Sequence, residues 1–115
     1  MSAFISNAFG KIEIDDNVLA KLAGLATTEC MGVLGLASAE SSWTDLLRKD
    51  SVDRGVRVFP VSEGIIRFEI NIIVKYGVSL RAVAENVIST VKYNVESMTG
   101  FNVDSVDVCV RTIRV

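Results

Sequence analysis

The chain has 115 residues, 50% of them hydrophobic, with 12 Lys and Arg against 14 Asp and Glu, two cysteines and no histidine. That length suits one domain able to bury about two thirds of the surface its unfolded chain exposes, and a formal charge of -2 argues against a general nucleic-acid binder, whose phosphate affinity rests on many Lys and Arg. The missing histidine excludes the usual zinc sites and the Ser/His and Cys/His catalytic pairs, and no apolar run approaches the roughly 18 residues of a spanning helix.

The opening stretch "MSAFISNAFG" carries no basic residue and is interrupted by Ser6 and Asn7. It does not read as a secretory leader, so residues 1–9 are expected to form a loosely ordered tail before a single domain over residues 10–115. A cytoplasmic location follows. "KIEI", Lys11 to Ile14, alternates polar and apolar residues and meets Asp15-Asp16, which predicts a short strand running into a helix N-cap. Val18, Leu19, Leu22, Leu25, Ala26 and Cys30 then recur at helical spacing, predicting a helix over about residues 16–30 with that face inward. Gly24 within it points to a close packing contact, and Gly32 to a left-handed stop.

"VLGLA", Val33 to Ala37, predicts a short buried strand. Residues 38–54, "SAESSWTDLLRKDSVDR", lose the pattern and form the chain's long irregular connection. Within it Trp43, Leu46 and Leu47 could dock one helical turn, or the segment could simply cover a sheet edge. "GVRVFPV", "SEG" and "IIRFEINIIVKY" predict an antiparallel hairpin turning at Gly64. Phe68, Ile70, Ile72, Val74 and Tyr76 share its core face by parity, while Arg67, Glu69, Asn71 and Lys75 share the wetter one. Pro60 has no N–H to offer a ladder, so the first hairpin strand lies at an edge or ends there.

Ser79 caps a long helix whose inward stripe is predicted to be Leu80, Val83, Ala84, Val87, Ile88, Val91, Val95 and Met98, with Gly100 as its stop. In the last strand Val106, Val108 and Val110 alternate with polar residues, but Phe101 and Val103 have the opposite parity. A bulge or turn near Asp104-Ser105 restores a common face. The sum is a two-layer α+β domain, a mainly antiparallel sheet with two amphipathic helices on one face, in the order strand, helix, strand, hairpin, helix, strand.

No catalytic constellation emerges. The carboxylate pairs Asp15-Asp16 and Asp50/Asp53 fall at a cap and in a polar loop, no glycine run has phosphate-loop spacing, and Cys30 and Cys109 read as buried or half-buried thiols. The protein is therefore expected not to be an enzyme and to need no cofactor or metal. Phe68 and Tyr76 would be the base-stacking aromatics of an RNA-binding sheet, but their parity assigns them to the core. What remains is surface for protein partners: Arg67, Glu69, Asn71, Ile73 and Lys75 on one strand, Arg57 and Phe59 on its neighbour, and Trp43 in the irregular segment. A plain solvated sheet face is the alternative for the strand residues.

"KIEI", "AGLATTECMGVLGL", "RGVRV" and "IIVKYGVSLRAVAENVISTVKYNVESMTGFNVDSVDVCV" together resemble the alkaline shock protein family, the envelope-stress-response proteins of Gram-positive bacteria. The likeness extends over about residues 10–113. Its most specific parts are the spacing of Ala26, Glu29, Gly32 and Val33, the Tyr76-Gly77-Val78 turn into the long helix, and the Met98-Thr99-Gly100 stop. The resemblance implies a small cytoplasmic non-enzyme that self-associates, or that is held at the membrane by a separate anchor protein without inserting itself, and it supplies no catalytic motif. A regulatory module with a small-ligand pocket between helices and sheet is the competing expectation, and an RNA-binding domain a more distant one.

Overall fold

A computed structural model describes residues 2–37 and 55–115. Strands β1 (Ser2–Asn7) and β2 (Gly10–Asp15) lead into helix α1 (Asp16–Thr28) and strand β3 (Val33–Leu36). Strands β4 (Val56–Ser62) and β5 (Ile65–Lys75), helix α2 (Leu80–Thr99) and strand β6 (Asn102–Arg114) follow. The α+β class and its two helices are as the sequence predicts. The docking turn proposed around Trp43, Leu46 and Leu47 lies outside the described residues.

The N-terminal reading needs correction. Far from a loose tail, Ser2–Asn7 pairs antiparallel with β2, bringing Ala3 opposite Ile14 and Ile5 opposite Ile12. Asn7, which seemed to interrupt the segment, makes its turn: its Oδ1 accepts the N–H groups of Phe9 (2.8 Å) and Gly10 (3.1 Å). The hairpin is moored at its far side, where the Gly64 N–H donates to the Phe4 carbonyl (3.0 Å) and the Ser6 N–H to Glu63 Oε1 (3.1 Å). Those partners are nearly sixty residues away in sequence, beyond the reach of a local pattern.

Strand β5 is the centre of the main sheet. It pairs with β4 antiparallel along Ile65–Ile70, with β3 antiparallel along Ile72–Val74, and with β6 parallel along its whole length. Because a strand has two edges, β3 and β4 must lie end to end on one side of β5 and β6 alone on the other. Parallel neighbours need a crossover, and α2 supplies it. The predicted bulge is present: Ile66 faces Val103 but Arg67 faces Ser105, leaving Asp104 as the extra residue. A second shift, unforeseen, leaves Arg111 extra between Val110 and Thr112.

Both helices cover the face of β5 that carries Ile66, Phe68, Ile70, Ile72 and Val74, all fully buried. From α2 the buried side chains are Val83, Val87, Val91 and Val95, and from α1 Leu19, Ala20, Ala23, Ala26 and Thr27. Most of the buried residues of α1 are small, and Gly24 is buried among them. The predicted stripes were too wide: Val18, Leu25, Leu80, Ile88 and Met98 are exposed, and so is Tyr76, at 68%, past the end of β5. A helix resting on a sheet and one neighbour buries a narrow arc, and here a strict i, i+4 row of valines fills it.

The caps follow local chemistry. Asp15 accepts the Asn17 N–H (3.1 Å), Ser79 accepts the Ala82 N–H (3.3 Å), and Gly100 at φ +77° ends α2 with its N–H on the Glu96 carbonyl (3.0 Å). Helix α1 ends earlier than predicted, capped at Glu29 in a right-handed conformation. Gly32 does have positive φ, but it serves the turn into β3.

Candidate interaction surface

The side of the sheet away from the helices carries the predicted partner-facing residues. Register places Arg57 beside Glu69 and Phe59 beside Arg67 on one flank of β5. On the other flank Ser105, Asp107, Cys109 and Thr112 face Arg67, Glu69, Asn71 and Ile73. The Arg67 guanidinium lies 4.6 Å from the Phe59 ring centroid and 3.9 Å from the Asp107 carboxylate, with the Arg67 and Asp107 side chains 42% and 57% exposed. A pair so exposed contributes only about 0–1 kcal/mol to stability, and the stacked ring roughly 0.5–1 kcal/mol. Their fixed arrangement matters more: a charged row laid over half-buried Phe59 and Ile73.

Asn71 departs from the sequence reading. It shares this face by parity, yet it is 1% exposed and its polar groups are occupied. Its N–H and its Nδ2 both donate to the Gly55 carbonyl (2.8 and 3.3 Å), its own carbonyl accepts from the Ala37 N–H (2.9 Å), and its Oδ1 accepts from Arg111 Nε (2.7 Å). One residue thus ties together the place where β3 stops, through its backbone, and the place where β4 starts and β6, through its side chain. It is a joint of the fold and not an accessible contact. Asn71→Ala is expected to destabilise the protein by about 1–3 kcal/mol, read from urea denaturation, because it strips a buried bond to a cation and another to a carbonyl.

Arg57 and Lys75 are exposed, Arg67, Glu69, Ile73 and Phe59 half-buried, and Trp43 lies outside the described residues. Sequence reasoning missed Asp107, Cys109 and Arg111. Their alternation along β6 was visible, but nothing local showed that this strand would complete the same face.

Elsewhere, a surface cleft of about 390 Å³ opens between the α1–β3 turn and the first turns of α2, lined by Met31, Gly32, Val78, Ser79, Ala82, Val83 and Asn86. It does not lie between helix layer and sheet, where a ligand pocket was expected, and no charged side chain lines it. Among the described residues, no three His, Cys, Asp or Glu side chains are grouped to hold a metal ion. No helix among them is long and apolar enough to cross a membrane.

Comparison with protein families gives a match over residues 5–115 to the alkaline shock protein 23 family, described as having a cell envelope-related function. The chain belongs to that family. Among its relatives, the Bacillus subtilis (strain 168) protein YloU is 39% identical, the alignment covering 100% of this chain and 98% of YloU. Spy1614 of Streptococcus pyogenes serotype M6 is 36% identical over 100% of this chain and 97% of its own. Among solved structures, a variant of the MamM CTD superposes with a TM-score of 0.51 at 15% identity, covering 85% of this chain and 94% of that one. At such low identity the likeness is one of fold. The family match begins at residue 5, inside β1, so the second half of that strand falls within the extent of the family.

Proposed function

We propose that this family member is a non-catalytic interaction module of the cytoplasm, which assembles with copies of itself and is recruited to the membrane through an envelope-associated protein. The observation that carries this reading is the sheet face where Arg57, Arg67, Glu69 and Asp107 stand over half-buried Phe59 and Ile73, with no helix above them among the described residues. Such a mixture of charge and apolar surface suits a non-obligate protein contact. The family's cell envelope-related function supplies the setting.

The test is affinity capture of the tagged protein from its own cells, with soluble and detergent-solubilised membrane fractions analysed separately. One membrane protein is expected in near-stoichiometric amount, and Arg57→Glu with Lys75→Glu should abolish its recovery while leaving the melting temperature unchanged. Undiminished capture by the double variant removes the sheet face from the reading, and absence of any membrane protein removes the recruitment.

The cleft beside Gly32 supports a second reading, a regulatory module for a small, mostly apolar ligand. A ligand there would raise the melting temperature by an amount that grows with the logarithm of its free concentration above Kd. Screening a metabolite panel by thermal shift, with Ala82→Trp to fill the cleft, separates this reading from the first.

A further inference from the structure

We infer that the end of the sheet face where Lys75, Arg111 and Arg114 converge is an anion site, and that it takes an acidic segment of the protein partner. This inference rests on the recruitment proposed above and names the chemistry of the contact.

The charges of the face are unevenly spread. In its middle each cation has an opposite neighbour: Arg57 stands beside Glu69 in the β4–β5 register, and Arg67 lies 3.9 Å from Asp107. Towards the last residues of β5 and β6 that balance fails. Lys75 and Arg114 are cross-strand partners on one face, both exposed, and like charges side by side in a sheet repel. Among the described residues neither pairs with a carboxylate. Glu69, the one acid of β5, is six residues from Lys75, about 20 Å of strand and well beyond the roughly 8 Å screening length of physiological salt. The chain as a whole carries a formal charge of -2, so an unbalanced group of cations here runs against its overall charge.

Arg111 completes the group. It is the extra residue of the second β6 bulge, and its Nε donates to Asn71 Oδ1 on the same face (2.7 Å). That bond orients the guanidinium and leaves its two Nη groups, which no described residue takes, for a carboxylate. Asn71 precedes Lys75 by four residues on β5, about 13 Å, a span that a few residues of extended chain cover. A cation held in place before the partner arrives lowers the ordering cost of binding, and grouped arginines reading acidic segments are a recurring mode of recognition.

The rest of the face decides between anions. Glu69 and Asp107 would repel the phosphates of an anionic membrane or of RNA laid flat across it. A protein segment can set its acids at the cation group and meet the balanced middle, with half-buried Phe59 and Ile73, through neutral and apolar residues.

Anisotropy of a fluorescein-labelled peptide of glutamate and leucine, titrated with the full-length chain, reads the site directly. Lys75→Glu with Arg114→Glu is expected to weaken binding roughly tenfold or more, because acids would then meet acids. Lys21→Glu with Lys92→Glu, exposed on the helices and equal in net charge, should change it by less than about twofold. Arg111 is kept in both variants, since it also holds Asn71. In the assembly captured from membranes, a carbodiimide, which joins an amine to a carboxylate touching it, should couple Lys75 to an aspartate or glutamate of the captured protein. Lys75→Arg should remove that coupling and leave the capture intact. Peptide binding indifferent to the cation group, or coupling of Lys75 to a carboxylate of residues 38–54, overturns the inference and leaves recruitment standing. Retention on phosphatidylglycerol vesicles that is lost with the cation group, with no protein coupled, gives the site to lipid and overturns the inference too. A capture without any membrane protein overturns recruitment, and the peptide titration then decides the inference alone.

Discussion

Phe68→Ala is expected to destabilise the protein by about 3–5 kcal/mol, measured by urea denaturation. Phe68 is fully buried on the helix-facing side of β5, flanked along the strand by Ile66 and Ile70 and in the same core cluster as the valine row of α2. Removing the ring takes away its burial and leaves a cavity that flanking β-branched side chains, stiff about χ1, are poorly able to fill. Total stabilities of small domains are about 5–15 kcal/mol, so this single change brings the chain near its unfolding threshold. Phe68→Leu should lose clearly less. The same pair of variants addresses base stacking: a stacking aromatic would leave stability nearly unchanged and lower RNA affinity. Tyr76, the other aromatic considered for that role, is exposed, and Tyr76→Ala is expected to stay within about 0.5 kcal/mol.

Gly55→Ala should be the next most damaging change, at about 3 kcal/mol, the upper end of ordinary overpacking. A Cβ built on Gly55 would come within 2.8 Å of Leu36 Cβ and 3.0 Å of the carbonyl oxygens of Ala37 and Asn71. Two of those neighbours are backbone, so no rotamer change can make room. Moving the Gly55 backbone aside would also stretch the bonds its carbonyl accepts from Asn71. The comparison variant is Gly35→Ala in β3, where an added Cβ meets nothing within 4 Å. It should be neutral or slightly stabilising, by the usual loss of freedom in the unfolded chain. Equal effects at the two sites would show that the junction of β3 and β4 tolerates expansion and that Asn71 is a weaker joint than its bonds suggest.

Features set by short-range chemistry were legible in the residues. The turn at Glu63-Gly64 needs one positive φ, which Gly64 provides at +72°. The bounds of α2 are written by a serine whose hydroxyl accepts a first-turn N–H and by a glycine able to turn left-handed. The bulge at Asp104 followed from two apolar runs of opposite parity that had to share one core. Period-two alternation also placed Arg57, Phe59, Arg67, Glu69 and Ile73 on a common face, so most of the candidate surface was readable before any pairing was known.

The sequence by itself therefore determined the elements after β1, the caps of α2, the N-cap of α1 and the two-sidedness of β5, because each depends on dihedral preferences and periodicities within a few residues. Only the tertiary structure decided which elements are neighbours. β1 becomes a strand through β2 and through bonds to Glu63 and Gly64. Asn71 sinks from an apparent surface position because Gly55, Ala37 and Arg111 converge on it from three other segments. β6 takes the edge beside β5 through a parallel crossover, a pairing with no local signature, since its free energy comes from contacts between residues some 40 positions apart. Loop closure of that kind is opposed by chain entropy and repaid only when the whole sheet and its helices assemble together, so no window of sequence can reveal it.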